Sequence, residues 1–212
     1  MFDIGDYYLC SHLRMEGKYF IKDHNEEISK HEHIIFEFED GVDLRYHDTR
    51  KFGRMALVLK KDIADYEPIK KQGIEPIDDK LTKEYLYDNF HNRKLPMKTL
   101  LLDQTIISGL GNIYADEVLF GAKINPLRLG TELKLEECQQ IVVASKKILE
   151  EAIKCGGTTI RSYTSSLGVT GKYQDYLMVH KRENEACKEC GAIIKRIVVG
   201  GRSTYYCPNC QK

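Results

Sequence analysis

The sequence predicts an α+β protein in which an antiparallel β-region is followed by a helical region and then by a short metal-binding hairpin. Three observations support this fold class. In the first 60 residues, apolar residues cluster or alternate with charged ones at a period of two. From Leu81 onwards, the apolar residues recur at helical spacing. Two Cys-x-x-Cys pairs lie at the end of the chain, formed by Cys187 with Cys190 and by Cys207 with Cys210.

The β-region is expected to form an antiparallel sheet or one half of a β-sandwich. Runs of apolar or alternating residues predict its strands at 7–10, 34–39, 42–46 and 55–59. Asp40-Gly41 lies between two of these runs and is a hairpin signal, because glycine readily adopts the positive φ of a tight turn. The following stretch, 60–80, is polar, contains Pro68 and Pro76, and is expected to be a linker.

The helical region is predicted to contain helices at 81–90, 97–103, 112–120 and 136–154. Pro96 starts the second of these, and Gly156-Gly157 ends the last. The last helix has an apolar stripe that is expected to be buried. Its members are Cys138, Ile141, Val142, Ser145, Ile148, Leu149, Ala152 and Ile153. The segment 161–175 is rich in Ser, Thr and Gly and is expected to be a mobile loop.

The cysteine pairs predict one structural Zn²⁺ site. Each Cys-x-x-Cys turn places two sulfurs on one side of the backbone, and four thiolates satisfy the tetrahedral preference of Zn²⁺. The residues between the pairs fit a hairpin, since β-forming residues at 193–199 are followed by Gly200-Gly201 and then by 204–206. The alternative is four unlinked structural cysteines. The hairpin leaves Arg202 at its tip, where an arginine with a structural role is not expected.

Composition limits the class of protein further. Cys10, Cys138 and Cys155 are scattered, which is typical of reduced thiols in the cytosol. The chain contains no apolar run of about 18 residues and no signal-peptide pattern, so no membrane association is expected. The net charge is 0, but residues 1–80 carry 13 Lys and Arg against 18 acidic residues, and residues 161–212 carry 9 against 4. The zero total argues against nucleic-acid binding, and the basic C-terminal segment argues for it.

The segment that begins the third predicted helix is a candidate for anion binding. Gly109 and Gly111 precede Asn112, and glycines before a helix let backbone N–H groups approach a phosphate. Asn112 could hydrogen-bond the same phosphate or cap the helix, and the residues alone favour capping. Asp116 and Glu117 fit a loop-tethering or helix-dipole role better than a proton relay.

Two segments of the β-region could insert side chains into unstacked DNA. Arg50 and Phe52 lie in the polar loop 45–53 and suit such a wedge, although an ordinary turn with Phe52 in the core fits equally well. Met15 lies in the segment 12–17 and is either a core residue or a flexible apolar probe.

Other charged residues are less specific. His31 and His33 are two apart in a predicted strand and so share a face, where one could hold a phosphate; a metal pair is not expected. Arg93, Lys94 and Lys98 flank Pro96 and are either a solvated face or phosphate contacts.

Taken in order, the motifs of the chain resemble those of the formamidopyrimidine-DNA glycosylases, bacterial enzymes that remove oxidised purines from DNA. The motifs are HLRMEG, HEHIIFEFEDG, LRYHDTRKFG, LLLDQ, GLGNIYADE, CGGTTIRSY and GGRSTYYCPNC. The resemblance extends from about Tyr7 to Gln211 and implies a multidomain α+β fold. That fold comprises a remnant of an N-terminal β-sandwich catalytic domain (1–76), a helix–two-turn–helix DNA-binding domain (77–160), a lesion-recognition loop and connector (161–180) and a zinc finger (181–212).

The resemblance also implies roles for individual residues. Met15, Arg50 and Phe52 would fill the gap left by a flipped-out base. DNA contacts would come from His31, Arg50, Arg93, Lys98, Asn112 and Arg202. Arg202 would in addition assist the final elimination, and Glu117 would be a buried support near the catalytic centre. One structural Zn²⁺ would be bound by Cys187, Cys190, Cys207 and Cys210. The implied partner is double-stranded DNA with oxidised purines or abasic sites, bound by a monomer in the bacterial cytoplasm.

The start of the sequence departs from the family pattern. The family nucleophile is an N-terminal proline followed by a glutamate, but here Phe2 follows Met1 and the first proline is Pro68. We therefore expect the first ~60 residues of the family, with a lysine used in β-elimination, to be absent and base excision to be impaired. The alternatives are a non-catalytic module that binds damaged DNA and an unstable fragment.

Overall fold

The computed structural model describes residues 1–158 and 171–212. The chain divides into two compact units. The first unit comprises Met1–Lys70 and Gly156–Gln174, and the second comprises Lys71–Cys155 and Asp175–Lys212. Residues 159–170, which hold most of the predicted mobile loop and part of the predicted lesion-recognition loop, lie outside the described residues.

The first unit contains two antiparallel sheets within its described residues. Strands β1 (Phe2–Ile4), β2 (Tyr7–His12) and β6 (Arg54–Leu59) form one sheet, in the order β1-β2-β6. Strands β3 (Lys18–Asp23), β4 (Glu32–Glu37) and β5 (Val42–His47) form the other, in the order β3-β5-β4. The sheets meet through Tyr19 of β3, whose hydroxyl donates to Ser11 Oγ at 2.8 Å and whose ring lies edge-on to that of Phe2. The predicted sandwich architecture is confirmed.

The stretch 60–80 is not the open linker that the sequence predicts. Lys60–Asp65 forms a 3-10 helix, helix α1 spans Glu67–Lys70, and Ile74 forms a parallel bridge with Ile107. Pro68 lies in the first turn of α1, where its missing N–H has no partner to lose. Pro68 therefore lies at the start of a helix and not in irregular chain.

The second unit packs short helices against one long one. They are α2 (Lys83–Phe90), α3 (Met97–Leu101), α4 (Asn112–Gly121) and α5 (Leu135–Lys154). Helix α3 ends two residues earlier than predicted, because the Asp103 carboxylate accepts the N–H and hydroxyl of Thr105 and begins a new turn. The predicted stripe of α5 packs into the core, except that Ile153 is 65% exposed.

The C-terminal hairpin has the predicted form. Strands β7 (Lys195–Val199) and β8 (Arg202–Tyr206) pair antiparallel, with Val199 opposite Arg202. Gly200 and Gly201 connect them with φ of +55° and +73°, which is the left-handed backbone of a tight hairpin turn. A small core joins the hairpin to α4 through Phe120, Val179 and Ile194. No helix among the described residues is long and apolar enough to cross a bilayer.

Candidate nucleic-acid interface

Two exposed turns of the first unit are built around the buried phenol of Tyr46. Tyr46 lies in β5 and is 6% exposed. A Cβ on Gly53 would lie 1.7 Å from the Tyr46 hydroxyl oxygen. A Cβ on Gly17 would lie 2.5 Å from Leu13 O and 3.0 Å from the same Tyr46 oxygen. Only glycine fits such close approaches. The turn that holds Met15 and the turn that holds Phe52 therefore both close against one side chain.

The second of these turns is held by a buried carboxylate. Asp48 accepts the N–H of Arg50 at 3.0 Å, the N–H of Gly53 at 2.9 Å and the hydroxyl of Tyr46 at 2.8 Å. Burial alone would raise the pKa of Asp48, but these donors, led by the Gly53 N–H, lower it from 3.8 to about 2. The same burial and the neighbouring carboxylate raise the pKa of Tyr46 to about 12. At neutral pH the loop is thus closed by an ionised acid and a protonated phenol.

The side chains presented by these turns are exposed. Met15 is 79% exposed and Phe52 is 57% exposed, which excludes the core alternative for both. The guanidinium carbon of Arg50 lies 4.7 Å from the centroid of the Phe52 ring, within cation–π range. Arg14 and Lys51 have φ of +55° and +57°, a region that non-glycine residues rarely adopt. Such strain persists only where surrounding contacts enforce it. The N–H of Arg14 donates to His12 Nδ1 at 3.0 Å, and Asp48 accepts the N–H groups of Arg50 and Gly53 on either side of Lys51.

His31 belongs to a histidine cluster beside this loop. Its ring centroid lies 6.5 Å from that of His33 and 5.6 Å from that of His47. His31 precedes β4, and the pairing register shifts between Glu32 and Ile34, so the predicted strand position of His31 is wrong. The two rings nevertheless lie near each other, in agreement with the shared face that the sequence predicts. Burial and the neighbouring His31 lower the pKa of His47, which keeps His47 neutral at pH 7.

In the second unit, Asn112 begins α4 without capping it. The N-cap is Gly111, and no side chain caps the helix. Asn112 Nδ2 instead donates to Ser203 O of β8 at 3.0 Å, and its buried Oδ1 has no hydrogen-bond partner among the described residues. The first turn of α4 carries no acidic residue, so its N–H groups and dipole favour an anion. The residues alone favoured capping of the helix by the Asn112 side chain, and that interpretation is wrong.

Lys98 is buried and does not lie on the surface. Its side chain is 0% exposed, and its ammonium donates to Asp116 Oδ1 and to Asn112 O, both at 2.7 Å. The other oxygen of Asp116 lies 2.6 Å from His180 Nδ1. Burial lowers the pKa of Lys98, and the adjacent carboxylate opposes that shift. The Lys98 ammonium is therefore not exposed for the direct DNA contact that the resemblance implies.

Glu117 tethers the segment that leads into the zinc finger. Its carboxylate accepts the backbone N–H groups of Met178, Val179 and His180 at 2.8, 3.0 and 2.9 Å. Burial raises the pKa of Glu117, and the three donors oppose that shift. The tethering role that the sequence favoured fits this geometry.

Arg202 is exposed at the first position of β8, directly after the hairpin turn. A cavity of about 280 Å³ lies beside it, lined among others by Thr99, Asp103 and Val199. Arg93 donates to Asp103 Oδ2 at 3.2 Å and remains 41% exposed. The second unit thus presents two partly solvated guanidinium groups within reach of anionic ligands.

The four cysteines form a metal-binding cluster. Their sulfurs lie within 4.8 Å of one another, with Cys187 Sγ 3.9 Å from Cys210 Sγ and Cys190 Sγ 3.5 Å from Cys207 Sγ. Tetrahedral Zn²⁺ with Zn–S bonds of about 2.3 Å requires separations of roughly 3.8 Å, so the set fits one ion. Burial raises the pKa values of Cys207 and Cys210, a penalty that a bound cation would remove.

Family models match along most of the chain. The model of the formamidopyrimidine-DNA glycosylase N-terminal domain matches residues 1–55 and that of its H2TH domain matches residues 72–164. The model of the zinc finger found in FPG and IleRS matches residues 184–212, which include all four cysteines. Together with the sulfur geometry, this match confirms one structural Zn²⁺ site.

Curated relatives decide the family. The formamidopyrimidine-DNA glycosylase of Listeria monocytogenes serotype 4b (strain F2365) is 44% identical over 212 residues, which is 100% of this chain and 78% of the relative. That of Bacillus anthracis is 45% identical over 208 residues, which is 98% of this chain and 75% of the relative. The chain belongs to the formamidopyrimidine-DNA glycosylase family. Members of this family are DNA glycosylases of base-excision repair.

Solved structures of the family superpose closely on the chain. The complex between Lactococcus lactis Fpg and DNA containing an abasic site has a TM-score of 0.91 and 40% identity, covering 98% of this chain and 76% of that one. A mutant of the same enzyme with DNA containing Fapy-dG has a TM-score of 0.91 and 39% identity, with the same coverage. The predicted fold of β-sandwich, H2TH domain and zinc finger is confirmed.

The family match also corrects one expectation. The predicted absence of the first ~60 residues of the family is not confirmed, because the N-terminal domain model matches residues 1–55. The chain spans about three quarters of the length of its relatives.

The functional residues that sequence reasoning missed are the buried anchors. Tyr46 and Asp48 fall within a quoted motif, but nothing in it distinguishes them from strand and turn residues. Their signal was Gly17 and Gly53, since isolated glycines mark close backbone approaches. His180 had no sequence signal, because its partner Asp116 lies 64 residues away.

Proposed function

We propose that this member of the family binds double-stranded DNA at oxidised purines or abasic sites, as a monomer in the bacterial cytoplasm. The observation that carries the proposal is the exposed set of Met15, Arg50 and Phe52, presented on two turns with one buried anchor. Exposed apolar side chains beside a cation suit insertion into an unstacked duplex. The DNA-bound Lactococcus lactis structures, with abasic or Fapy-dG lesions, support a substrate of this class.

In this proposal the first unit probes the base stack. Met15, Arg50 and Phe52 fill the gap that remains when a damaged base leaves the duplex. Arg50 carries positive charge into that gap, and the Phe52 ring beneath it offers a stacking surface. His31 contacts the DNA backbone, a role supported by its partial exposure next to the loop.

The second unit binds phosphates. Asn112 and the dipole of α4 favour an anion at the helix start, and Arg202 contacts phosphates from the zinc hairpin. Arg93 adds a partly solvated guanidinium, and Arg202 also assists elimination after base loss. Lys98 acts indirectly, through Asn112, and Glu117 supports the segment that joins α4 to the hairpin. The bound Zn²⁺ folds the hairpin and supplies no chemistry.

We further propose that the protein removes oxidised purines such as 8-oxoguanine and cleaves the resulting abasic site by β,δ-elimination. Relatives named formamidopyrimidine-DNA glycosylase, at 44% and 45% identity, support this activity. The second candidate function is a non-catalytic module that binds damaged DNA, because the exposed set of Met15, Arg50 and Phe52 requires no nucleophile.

Binding is tested with duplexes that contain a tetrahydrofuran abasic analogue or no lesion, at two salt concentrations. We expect tighter binding to the lesion and a clear loss of affinity at high salt. Phe52→Ala should weaken lesion binding about tenfold, because base–aromatic stacking contributes 1–3 kcal/mol. Phe38→Ala is the matched control, since Phe38 is 54% exposed in the same unit. Salt-insensitive binding, or equal losses in the two variants, would contradict the proposal.

Catalysis is tested separately by borohydride trapping on an 8-oxoguanine duplex, with the Listeria monocytogenes relative as the positive control. Trapping in amounts similar to those of the relative is the expected result for the enzyme. Lesion binding without trapping would contradict the proposed excision, favour the non-catalytic module and leave the binding proposal intact.

A further inference from the structure

A closed circuit of contacts joins the start of α4 to strand β8. Lys98 Nζ donates to Asn112 O and to Asp116 Oδ1, both at 2.7 Å. Asp116 Oδ2 lies 2.6 Å from His180 Nδ1, and the His180 ring lies edge-on to that of Tyr205 in β8, with centroids 5.0 Å apart. The circuit closes through Asn112 Nδ2, which donates to Ser203 O in the same strand.

The circuit surrounds the groups that present phosphate contacts. Ser203 follows Arg202, so the strand that Asn112 and Tyr205 hold also carries the exposed guanidinium. Asn112 Oδ1 has no partner among the described residues, so the Ser203 contact alone fixes the amide directly. The position of the amide then depends on the Asn112 backbone, which Lys98 holds by its carbonyl.

Packing alone does not account for this arrangement. Lys98 and Asp116 are fully buried and His180 is 6% exposed at its side chain. Burying charged groups costs desolvation energy that apolar residues of similar volume avoid, so such networks contribute little net stability. Their hydrogen bonds are directional, however, and fix relative positions that apolar packing leaves free to adjust.

We infer that His180, acting through Asp116 and Lys98, is a positioning residue that holds Asn112 and the Arg202 strand in the geometry needed to bind one DNA backbone. His180 connects the two halves of the circuit, because its ring contacts both the Asp116 carboxylate and the β8 ring of Tyr205. The inference rests on the proposed DNA binding.

The test compares the affinity of the full chain for a duplex with a tetrahydrofuran abasic analogue. His180→Phe keeps a ring against Tyr205 and removes the bond to Asp116, and we expect about tenfold weaker binding, the equivalent of one charge-assisted hydrogen bond. His180→Asn places an amide donor near Asp116 and should restore most of the affinity. His91→Phe is the matched control, because His91 stacks on Tyr87 in the same unit, and it should bind like the wild type.

A double-mutant cycle separates positioning from general destabilisation. If His180 acts through Asn112, then His180→Phe should weaken binding much less in an Asn112→Ala background than in the wild type. Zinc content and melting temperature are measured on every variant, and affinities are compared below the lowest melting temperature. Full additivity of the two substitutions, or wild-type affinity of folded His180→Phe, would overturn the inference. If the wild type itself shows no lesion binding, the proposed function fails instead.

Discussion

The substitution Asp48→Asn tests whether a buried charge determines the conformation of the exposed loop that carries Arg50 and Phe52. Asp48 accepts two backbone N–H groups and the Tyr46 hydroxyl. Asp48→Asn keeps the volume, but it turns one acceptor oxygen into an NH₂ group that faces another donor. The variant therefore removes the charge and at least one hydrogen bond and leaves the remaining backbone in place.

The expected loss of stability follows from the pKa of the Asp48 carboxyl group. The pKa of Asp48 falls from 3.8 to about 2 in the folded chain. At 1.36 kcal/mol per pH unit, the folded state favours the ionised acid by roughly 2 kcal/mol. Because the folded pKa is lowered, this contribution is complete above about pH 4 and is lost as the pH falls towards 2. Asp48→Asn should thus cost roughly 2 kcal/mol at pH 7 and progressively less below pH 4.

Urea unfolding at several pH values between 3 and 7 measures this difference. Other carboxylates titrate in both proteins, so their effects cancel when the variant is subtracted from the wild type. Asp62→Asn is the control, because Asp62 is exposed on the 3-10 helix of the same unit. A stability difference below about 0.5 kcal/mol at pH 7, or one that grows as the pH falls, would refute the reasoning.

Three other predictions concern stability. Arg45→Met should lower the free energy of unfolding in urea by about 3–5 kcal/mol, because it leaves the buried carboxylates of Asp43 and Glu32 without their guanidinium. Arg54 is exposed, so the control Arg54→Met should change the free energy of unfolding little. Removing Zn²⁺ with a strong chelator should expose the hairpin to trypsin at Arg196 and Arg202 and lower the melting temperature of the second unit; unchanged proteolysis would argue against a structural ion. Gly73→Ala should cost about 1–3 kcal/mol, because its Cβ would lie 2.2 Å from Ile106 O, while Gly111→Ala, with open space around its Cβ, should be tolerated.

The zinc site and the hairpin turn could be predicted from the sequence, because the spacing of nearby residues determines both. The cysteine pairs specified a zinc site because ligand spacing fixes which sulfurs can meet. The hairpin turn at Gly200-Gly201 followed from the same logic, since a two-residue turn requires positive φ. Both predictions depended on residues close together in the chain, and both are confirmed.

The burial of charged residues was harder to predict from the sequence, because it depends on partners that are distant in the chain. Lys98 resembled a surface cation, yet its neighbours Met97, Leu100 and Leu101 are all buried, and that apolar setting was a signal against solvent exposure. Its partner Asp116 lies 18 residues away, on another helix. Arg45 falls within the predicted strand 42–46 and lies in β5 as expected, but its charged side chain is only 1% exposed. No local pattern distinguishes such arginines from exposed ones.

Recognition and stability are assigned to different residues in this chain. The side chains proposed to touch DNA, such as Met15, Phe52 and Arg202, are exposed, so replacing them should leave the folding energy nearly unchanged. Their positions are set instead by buried polar groups, including Asp48 and Asp116, whose loss would affect both properties. Rigid anchors reduce the conformational entropy that exposed side chains would otherwise lose on binding. The buried polar groups are therefore best understood as the means by which a few exposed side chains are held ready for a distorted duplex.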